Sequence, residues 1–366
     1  MIKEGEAKIK QFENVFYNPE AKLSRDLGVA FVKVASKLLN RKLNICEPLS
    51  ATGVRGIRYV LETNGVGRIL LNDKSKIAYE NILENVKLNN IEELCKIENR
   101  DAVILLHEYS TKGQRFDFVD IDPFGSPISF IQSAVNAIVH KGFLAISATD
   151  TAALCGVAKR AAFRKYSAFV EKTDFMHEVG IRILASAIIR IAATEEIALE
   201  PIYSHSTRHY MRIYFRMYVS RSKCDSILSN QGFLYYCKSC YWRSYSRNIQ
   251  KDLLSCPNCK NETIIIGPIW LGIIVNRSIA ELMVLNSSNS SLTLAKTLLN
   301  EAEMPPFYYE LDKLCSKLKI SEPPLDKVIN ELRNAGLLAC RTHFSKKGIK
   351  TNADIFTMNK ILMKFN

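Results

Sequence analysis

"LNICEPLSATGVRGIRYVLETNGVGRILLND", residues 43–73, consists of two short apolar segments joined by a glycine-containing turn and a helical pattern. The segments "LNICEPL" and "RILLND" have the length and composition of buried strands, and "VRGIRYVLE" between them has helical periodicity. The stretch therefore predicts a strand-helix-strand unit, which is the repeating element of a doubly wound parallel sheet.

The same alternation continues along the chain. Further strands are predicted in "KIENRDA", "FDFVDID" and "GFLAISATD", and further helices at residues 75–90 and 126–140. An amphipathic helix from about Lys22 to Leu39 precedes the first strand. We therefore expect an α/β protein with a doubly wound, Rossmann-like parallel sheet, whose ligands bind outside the carboxyl ends of the strands.

Changes in composition divide the rest of the chain. Residues 1–42 form an N-terminal segment, and residues 43–276 carry the predicted sheet. A polar, cysteine-rich stretch at about 221–268 interrupts the strand-helix rhythm and is predicted to be a small insertion. Residues 277–366 are predicted to form a C-terminal domain.

The C-terminal domain has a pattern of short helices followed by an extended stretch. "NSSNSS", residues 286–291, predicts a flexible polar linker. Helical patterns at about 292–303, 308–318 and 325–334 are followed by the extended stretch "LLACRTHF". This order fits an α+β winged-helix-like arrangement.

Four of the ten cysteines have the spacing of a zinc site. "CKSC" and "CPNC" place Cys237, Cys240, Cys256 and Cys259 in two C-x2-C pairs separated by fifteen residues, the spacing of tetrahedral thiolate coordination. All four positions are cysteine, so no position is open for catalysis and the zinc is expected to be structural. Disulfides or free thiols are the alternative.

The charge balance favours a polyanionic partner. Lys plus Arg outnumber Asp plus Glu by 50 to 37, which gives a net charge of +13. Such a charge favours nucleic acid through phosphate contacts and counterion release, although solubility alone would also explain it. No apolar run approaches the ~18 residues that span a bilayer, and the charged start lacks the apolar core of a signal peptide. We expect a cytoplasmic monomer that does not bind membranes.

Acidic residues follow three successive predicted strands. Gly53 permits a tight turn after the first strand, and Asp73 ends the second, where a carboxylate can accept both hydrogen bonds of a ribose diol. Asp101 and Ala102 end the third strand, where an adenine amino group and ring edge would lie. Asp122 ends the fourth. Taken singly, each Asp is more often a helix cap or turn residue, but together they favour an adenosine ligand, and S-adenosylmethionine fits best.

Nine motifs span nearly the whole chain: "VFYNP", "LSATGVRGIR", "LND", "DIDPFGSP", "TDTAALCG", "RKY", "HEVGIRIL", "GPIWLG" and "RTHFSKKGIKT". In these motifs the chain resembles the tRNA guanine-26 N2-dimethyltransferase family. The resemblance implies a class I methyltransferase domain in residues 43–276, a tRNA-binding C-terminal domain, S-adenosylmethionine as cofactor and tRNA as partner. It also implies that the cofactor is held by Arg25, Arg55, Asp73, Asp101 and Ala102.

"DPFG", residues 122–125, is similar to the motif that many amine methyltransferases place at this strand end. We expect Asp122 to accept a hydrogen bond from the guanine N2 amine and to orient its lone pair for methyl transfer. Pro123 would make the turn rigid, and Phe124 would stack on the base after it leaves its helical stack. Family resemblance adds Phe16 on the other side of the base pocket. The alternative is that Asp122 caps the next helix and Phe124 belongs to the core.

"RHYMRIYFRMY", residues 208–218, alternates arginine with aromatic residues. As a strand it would align Arg208, Arg212 and Arg216 for phosphate contacts, or form an exposed edge.

The favoured function is the transfer of two methyl groups to guanine N2 in tRNA, giving N2,N2-dimethylguanosine. The alternatives are an amine methyltransferase acting on another nucleic acid and a non-catalytic, zinc-containing RNA-binding module.

Overall fold

The computed structural model describes residues 1–365 of the chain. None of the described helices is long and apolar enough to cross a membrane. The first half contains a short hairpin and then alternating helices and strands: β1 (Ile2–Glu4), β2 (Ala7–Ile9), α1 (Lys22–Leu39), β3 (Leu43–Glu47), α2 (Val54–Glu62), β4 (Val66–Asn72), α3 (Lys76–Leu88), β5 (Cys95–Glu98), α4 (Ala102–Thr111), β6 (Phe116–Ile121), α5 (Ile131–Asn136), β7 (Ile138–Ala148), α6 (Thr151–Leu154), α7 (Lys159–Tyr166) and α8 (Met176–Thr194).

The second half completes the main sheet and adds two smaller ones. Its elements are β8 (Ile197–Thr207), β9 (Tyr210–Val219), α9 (Arg221–Leu228), β10 (Gln231–Tyr236), β11 (Arg243–Ser246), β12 (Ile264–Trp270), α10 (Arg277–Asn286), α11 (Asn289–Glu301), β13 (Tyr309–Glu310), α12 (Leu311–Leu318), α13 (Leu325–Asn334), β14 (Ala339–Arg341), β15 (Gly348–Thr351) and α14 (Ile355–Leu362).

Seven strands form the main sheet in the order β5-β4-β3-β6-β7-β9-β8. Strands β3 to β7 are parallel, whereas β9 is antiparallel to both β7 and β8. The strand order reverses between β3 and β6, so a crevice opens beyond their carboxyl ends, where ligands of such sheets bind. The predicted α/β, doubly wound sheet is confirmed, with an antiparallel pair added at one side.

The helices around the crevice begin and end where their sequence allows. α2 begins after Gly53, whose φ of 75° is a left-handed conformation that glycine adopts at little cost. α1 covers Lys22–Leu39 as predicted and ends at Asn40, which is also left-handed. All six residues of β6 are buried, as expected for a central parallel strand with both faces covered.

The N-terminal segment is attached to α3 by three asparagines one helical turn apart. Asn81 and Asn85 lie on one face of α3, Asn89 caps the C-terminal end of the helix, and we call the three the asparagine ladder. Their amides both accept from and donate to the backbone of residues 8–12, so they satisfy peptide groups that do not bond to β1. The bonds to backbone N–H groups are Lys8 N to Asn89 Oδ1 (2.9 Å), Lys10 N to Asn85 Oδ1 (2.8 Å) and Phe12 N to Asn81 Oδ1 (3.2 Å).

Two small sheets complete the molecule. In the first, which we call the cysteine sheet, β10 lies between β11 and β12, and the four cysteines lie in the loops that join these strands. In the second, β15 lies between β13 and β14. Both contribute to one apolar cluster that includes Tyr235, Trp242, Tyr309 and Leu314. The helices predicted at 308–318 and 325–334 and the terminal hairpin are present, but α14 was not predicted.

A buried carboxylate joins the C-terminal unit to the main sheet. Glu178 of α8 accepts hydrogen bonds from Lys350 Nζ of β15 (2.7 Å) and Arg182 Nε (3.0 Å). Burial alone would raise the pKa of Glu178, but the two cations outweigh it and lower the pKa to about 2. The carboxylate is therefore charged at neutral pH and fully paired.

The linker predicted at residues 286–291 is wrong. α10 ends at Asn286 and α11 begins at Asn289, so only two residues separate the helices. The Ser290 hydroxyl donates to Asp26 Oδ2 of α1 (2.6 Å), because this polar turn packs on the protein instead of crossing solvent. The helix predicted at 126–140 is also too long, since Ile138 already begins β7.

The phosphate-binding role predicted for "RHYMRIYFRMY" is wrong for its central arginine. β9 lies between β7 and β8 and is not an edge strand. Arg212 is fully buried and donates to Asp120 Oδ2 (2.6 Å) and Ser147 Oγ (2.9 Å). The Arg216 guanidinium lies 4.2 Å from the Phe143 ring centroid. Arg212 therefore neutralises a buried carboxylate inside the sheet.

Candidate active site and metal centre

A cavity of about 430 Å³ opens at the carboxyl ends of β3, β4, β6 and β7. Its wall is built from the segment before α1, the β3–α2 turn, the end of β4, the Asp-Pro-Phe-Gly loop and the end of β7. Its lining includes Phe16, Ser24, Arg25, Glu47, Arg55, Asp73, Asp122, Pro123, Phe124 and Thr149.

Asp122 lies in the cavity wall and forms an ion pair with Arg55 of α2. The Asp122 side chain is 31% exposed, whereas that of Arg55 is 4% exposed. Burial would raise the pKa of Asp122, but Arg55 and then Arg212 lower it below its usual value. Asp122 does not cap the following helical turn, Ile128–Phe130, whose N-cap is Pro127. The site therefore presents an ionised carboxylate with one side open to the cavity.

Glu47, at the end of β3, is a cavity residue that the sequence analysis missed. Its Oε2 accepts a hydrogen bond from Gly56 N (3.0 Å), where the absence of a side chain lets the carboxyl approach α2. Burial raises the pKa of Glu47 to about 8, against the opposing effect of Arg55 and with support from the nearby Asp120 and Asp122 carboxylates. The strand-end rule that identified Asp73 would also have found Glu47.

Asp73 organises the β3–α2 turn from the end of β4. Its Oδ2 accepts from Ala51 N (2.9 Å) and its Oδ1 from Ser75 N (2.9 Å), and the residue lines the cavity. Asp101 and Ala102 lie outside the residues that line the cavity. Asp101 caps α4 and is 3.2 Å from Lys74 Nζ, so its predicted contact with adenine remains a prediction.

Phe16 and Phe124 form an exposed aromatic pair at the cavity mouth. Their ring centroids are 4.6 Å apart with the planes at 81°, and the two residues are 52% and 75% exposed. Phe124 is therefore not a core residue. Gly125, with φ of 74°, turns the chain behind it and is held by Thr149, whose Oγ accepts from Gly125 N (2.7 Å).

Arg25 connects the cavity to the N-terminal hairpin. Its Nε donates to Glu4 Oε1 (2.6 Å) and its Nη2 donates to the Asn18 carbonyl (3.0 Å). The guanidinium carbon lies 5.3 Å from the Tyr17 ring centroid. Arg25 thus lines the cavity and holds in place the segment that carries Phe16, while its contact with the cofactor remains a prediction.

The four predicted zinc ligands come together in one cluster. The sulfur atoms of Cys237, Cys240, Cys256 and Cys259 all lie within 4.8 Å of one another, and none of the four forms a disulfide. The Cys237–Cys259 and Cys240–Cys256 sulfur pairs are each 3.5 Å apart. Four sulfurs at about 2.3 Å from a tetrahedral zinc would be about 3.8 Å apart, so the cluster fits zinc.

The family model described as "N2,N2-dimethylguanosine tRNA methyltransferase" matches residues 1–363. The chain belongs to this family. A Methanobrevibacter smithii member named tRNA (guanine(26)-N(2))-dimethyltransferase is 38% identical over 363 residues, covering 97% of this chain and 92% of that protein. An Aquifex aeolicus member named tRNA (guanine(26)-N(2)/guanine(27)-N(2))-dimethyltransferase is 34% identical over 346 residues, covering 92% and 87%.

A solved structure of the family shows the same fold. Trm1 from Pyrococcus horikoshii, determined with S-adenosyl-L-methionine, superposes with a TM-score of 0.88 at 33% identity and covers 98% of both chains. The family membership and the fold class expected from the sequence are therefore confirmed over nearly the full length of this chain.

Proposed function

We propose that this protein is an S-adenosylmethionine-dependent methyltransferase that converts guanine 26 of tRNA to N2,N2-dimethylguanosine. The observation that carries the proposal is the placement of an ionised, partly open Asp122 beside the Phe16–Phe124 pair in a strand-end cavity. Membership in the dimethylguanosine family supports the substrate and the product.

The polar groups of the cavity fit the cofactor. Asp73 suits a ribose diol, and Arg25 and Arg55 bring positive charge to the wall, where a carboxylate would be stabilised. Ser24 Oγ and Arg55 Nη1 are buried and have no hydrogen-bond partner among residues 1–365, so both are available to a ligand. When bound, S-adenosylmethionine supplies an electrophilic methyl group. Asp101 and Ala102 are proposed to contact its adenine.

The residues of the chain hold and orient the base. Asp122 accepts a hydrogen bond from the N2 amine and so localises the lone pair that is otherwise delocalised into the guanine ring. Phe124 and Phe16 stack against the displaced base, and Pro123 fixes the turn that carries Asp122. The Arg55 ion pair keeps the acceptor charged. Monomethylguanine still has one N–H group, so the same carboxylate can orient it for the second transfer.

The cysteine cluster is proposed to bind one structural zinc ion through Cys237, Cys240, Cys256 and Cys259. Both pairs adopt the same turn: the residue after the second cysteine, Tyr241 or Lys260, has φ of 61°. Four thiolates fill a tetrahedral shell and leave no position for a substrate. The expected role is therefore to stabilise the small sheet β11-β10-β12.

The remaining expectations concern partners and assembly. We propose that residues 277–366 form a tRNA-binding domain, that the insertion spans about 221–268, and that residues 1–42 contribute to the base pocket. The protein is expected to act as a monomer in the cytoplasm, where its substrate occurs. Sedimentation of the purified protein tests the assembly.

Nucleoside mass spectrometry tests the proposed function directly. The protein is incubated with S-adenosylmethionine and a tRNA transcript, which is then digested to nucleosides. We expect dimethylguanosine from the wild-type transcript and none when guanine 26 is replaced by adenine. Methylation of DNA or ribosomal RNA in place of tRNA would reject the substrate, and the absence of any methylated nucleoside would reject the activity.

A further inference from the structure

A second exposed aromatic pair lies outside the cavity, on α7 and in the loop that follows it. The ring centroids of Phe163 and Phe169 are 5.1 Å apart, and the two residues are 53% and 65% exposed. Val157, which precedes α7, is also 65% exposed. Neighbouring apolar side chains that are exposed to this extent indicate a surface that another molecule covers.

Cations without acidic partners surround the two rings. Arg160 and Arg164 are one turn apart on α7, and Lys172 follows Phe169 in the chain. All three are exposed, and none forms an ion pair within the described part of the chain, whereas the neighbouring lysines of α7 do. We use the name α7 surface for the set Arg160, Phe163, Arg164, Phe169 and Lys172.

The α7 surface is connected by hydrogen bonds to the loop that bears the catalytic carboxylate. Thr149 accepts a bond from Gly125 N (2.7 Å) and donates its own N–H to the Gly125 carbonyl (3.0 Å). The next residue, Asp150, accepts a hydrogen bond from the hydroxyl of Tyr166 at the end of α7 (2.6 Å). The α7 surface is therefore held beside the cavity.

Its other end is attached to the cysteine sheet. Phe169 N donates to the Gly267 carbonyl (2.8 Å) and Gly267 N donates back (2.9 Å). Glu171 pairs with Lys238, which lies between the first two cysteines (3.0 Å). Because both ends are fixed before any partner arrives, little conformational entropy is lost on binding.

We propose that the α7 surface binds the tRNA strand next to the target guanine. Arg160, Arg164 and Lys172 contact backbone phosphates, and an unpaired base stacks on Phe163 and Phe169. The proposal rests on the proposed function. Phosphate-binding cations beside aromatic rings are the groups by which proteins bind unpaired nucleotides. A chain with a net charge of +13 favours RNA over a second copy of itself, since like charges would repel at this surface.

Two double variants test the proposal against a matched control. Arg160→Gln/Arg164→Gln removes two phosphate contacts, and Phe163→Ala/Phe169→Ala removes the stacking rings. The control, Lys37→Gln/Lys87→Gln, removes two exposed charges near the ends of α1 and α3. These ends lie at the opposite edge of a parallel sheet from the cavity. The tRNA affinity is measured by fluorescence anisotropy over a range of salt concentrations, and the S-adenosylhomocysteine affinity by calorimetry.

We expect the arginine variant to lower the tRNA affinity and to reduce the slope of log affinity against log salt by about two. The phenylalanine variant should lower the affinity about tenfold or more with little change in the slope. S-adenosylhomocysteine binding should stay unchanged in every variant. The control should lose less affinity than either.

Each other outcome has a separate meaning. Equal tRNA binding by the wild type, both variants and the control overturns the α7 proposal. This comparison uses tRNA affinity alone and does not depend on methyl transfer. If the wild type binds tRNA through the α7 surface but never methylates it, the proposed function fails while the α7 proposal stands. A wild-type dimer that the phenylalanine variant converts to monomer would assign the surface to a second copy and overturn the proposal.

Discussion

Asp122 combines a charged carboxylate with access to the cavity, because Arg55 keeps it ionised while one side of the carboxylate faces the cavity. We predict that Asp122→Asn lowers the rate of methyl transfer at least about a hundredfold. The neutral amide is a weaker acceptor, and its NH2 group repels the guanine N–H if it rotates toward the base. Quantitative mass spectrometry of tRNA nucleosides measures both transfers.

Asp117→Asn is the matched control for this variant. Asp117 lies on β6 and, like Asp122, pairs with an arginine, but it is at the end of the strand opposite to Asp122. Its replacement should leave the transfer rate near that of the wild type. Near-normal transfer by a folded, tRNA-binding Asp122→Asn protein would show that Asp122 does not orient the amine.

Glu47 predicts a pH dependence of stability. Its pKa in the fold is about 8, above that of an unfolded glutamate, so the folded protein binds more protons between about pH 4.5 and 8. Its contribution to stability is therefore fully present below pH 4.5 and is lost as the pH rises through 8. The slope contributed by this one group is at most about 1.4 kcal/mol per pH unit.

Glu47→Gln keeps a neutral side chain at every pH. The variant should gain stability relative to the wild type as the pH rises from 5 to 8, which denaturant unfolding at several pH values measures. A constant difference across that range would mean that Glu47 is already ionised in the fold.

Residues at strand ends could be found from the sequence, but contacts between residues that are far apart in the chain could not. Asp73 and Asp122 each follow a recognisable strand and line the cavity. Phe16 came from family resemblance, since only the folded chain brings it to Phe124. Arg212 was misassigned because an alternating strand looks the same whether its polar face meets phosphate or a buried Asp120.

At the scale of elements, the asparagine ladder determines where the N-terminal segment lies. We predict that Asn85→Ala destabilises the protein by about 1–3 kcal/mol, since it removes partners of the part-buried backbone groups of Lys10 and of the buried Thr52 carbonyl. Denaturant unfolding measures the loss. Asn300→Ala is the control, because Asn300 is an exposed helical residue and makes no side-chain hydrogen bond within the described chain. Equal stability of the two variants would contradict the ladder.

The cysteine sheet should depend on the proposed zinc ion for its stability. We predict one zinc per chain by elemental analysis, and that chelation exposes residues 221–268 to protease before the main sheet. Chelation should also weaken tRNA binding through Phe169 and Glu171 while S-adenosylhomocysteine binding persists. A zinc-free preparation that resists protease equally well would contradict a structural metal.

Local sequence predicted the elements whose ends have distinct signals. α2 begins after Gly53 and α1 ends at Asn40, both of which are left-handed. "NSSNSS" has the composition of a linker, yet Ser290 bonds to Asp26 far away in the chain. A polar composition shows only that a segment can face solvent. A tight turn between two helices can be equally polar, so composition alone does not distinguish it from a linker.

At the scale of the whole molecule, the basic charge should govern RNA binding. We predict that tRNA affinity falls at least about a hundredfold between 50 and 200 mM salt, because several cations displace counterions from phosphates. Cofactor affinity should change little, since the cavity groups act at short range. Titrations at a series of salt concentrations compare the two. A flat response for tRNA would mean that the net charge serves solubility alone.

The asparagine ladder also makes the opening of the N-terminal segment measurable by hydrogen exchange. The amide protons of Lys8, Lys10 and Phe12 point at side-chain oxygens of α3, so they exchange with deuterium only when this segment separates from the helix. The same segment continues to Phe16 at the cavity mouth. The rate of deuterium uptake at these three positions therefore reports how often this part of the cavity wall opens, with no label on RNA or cofactor.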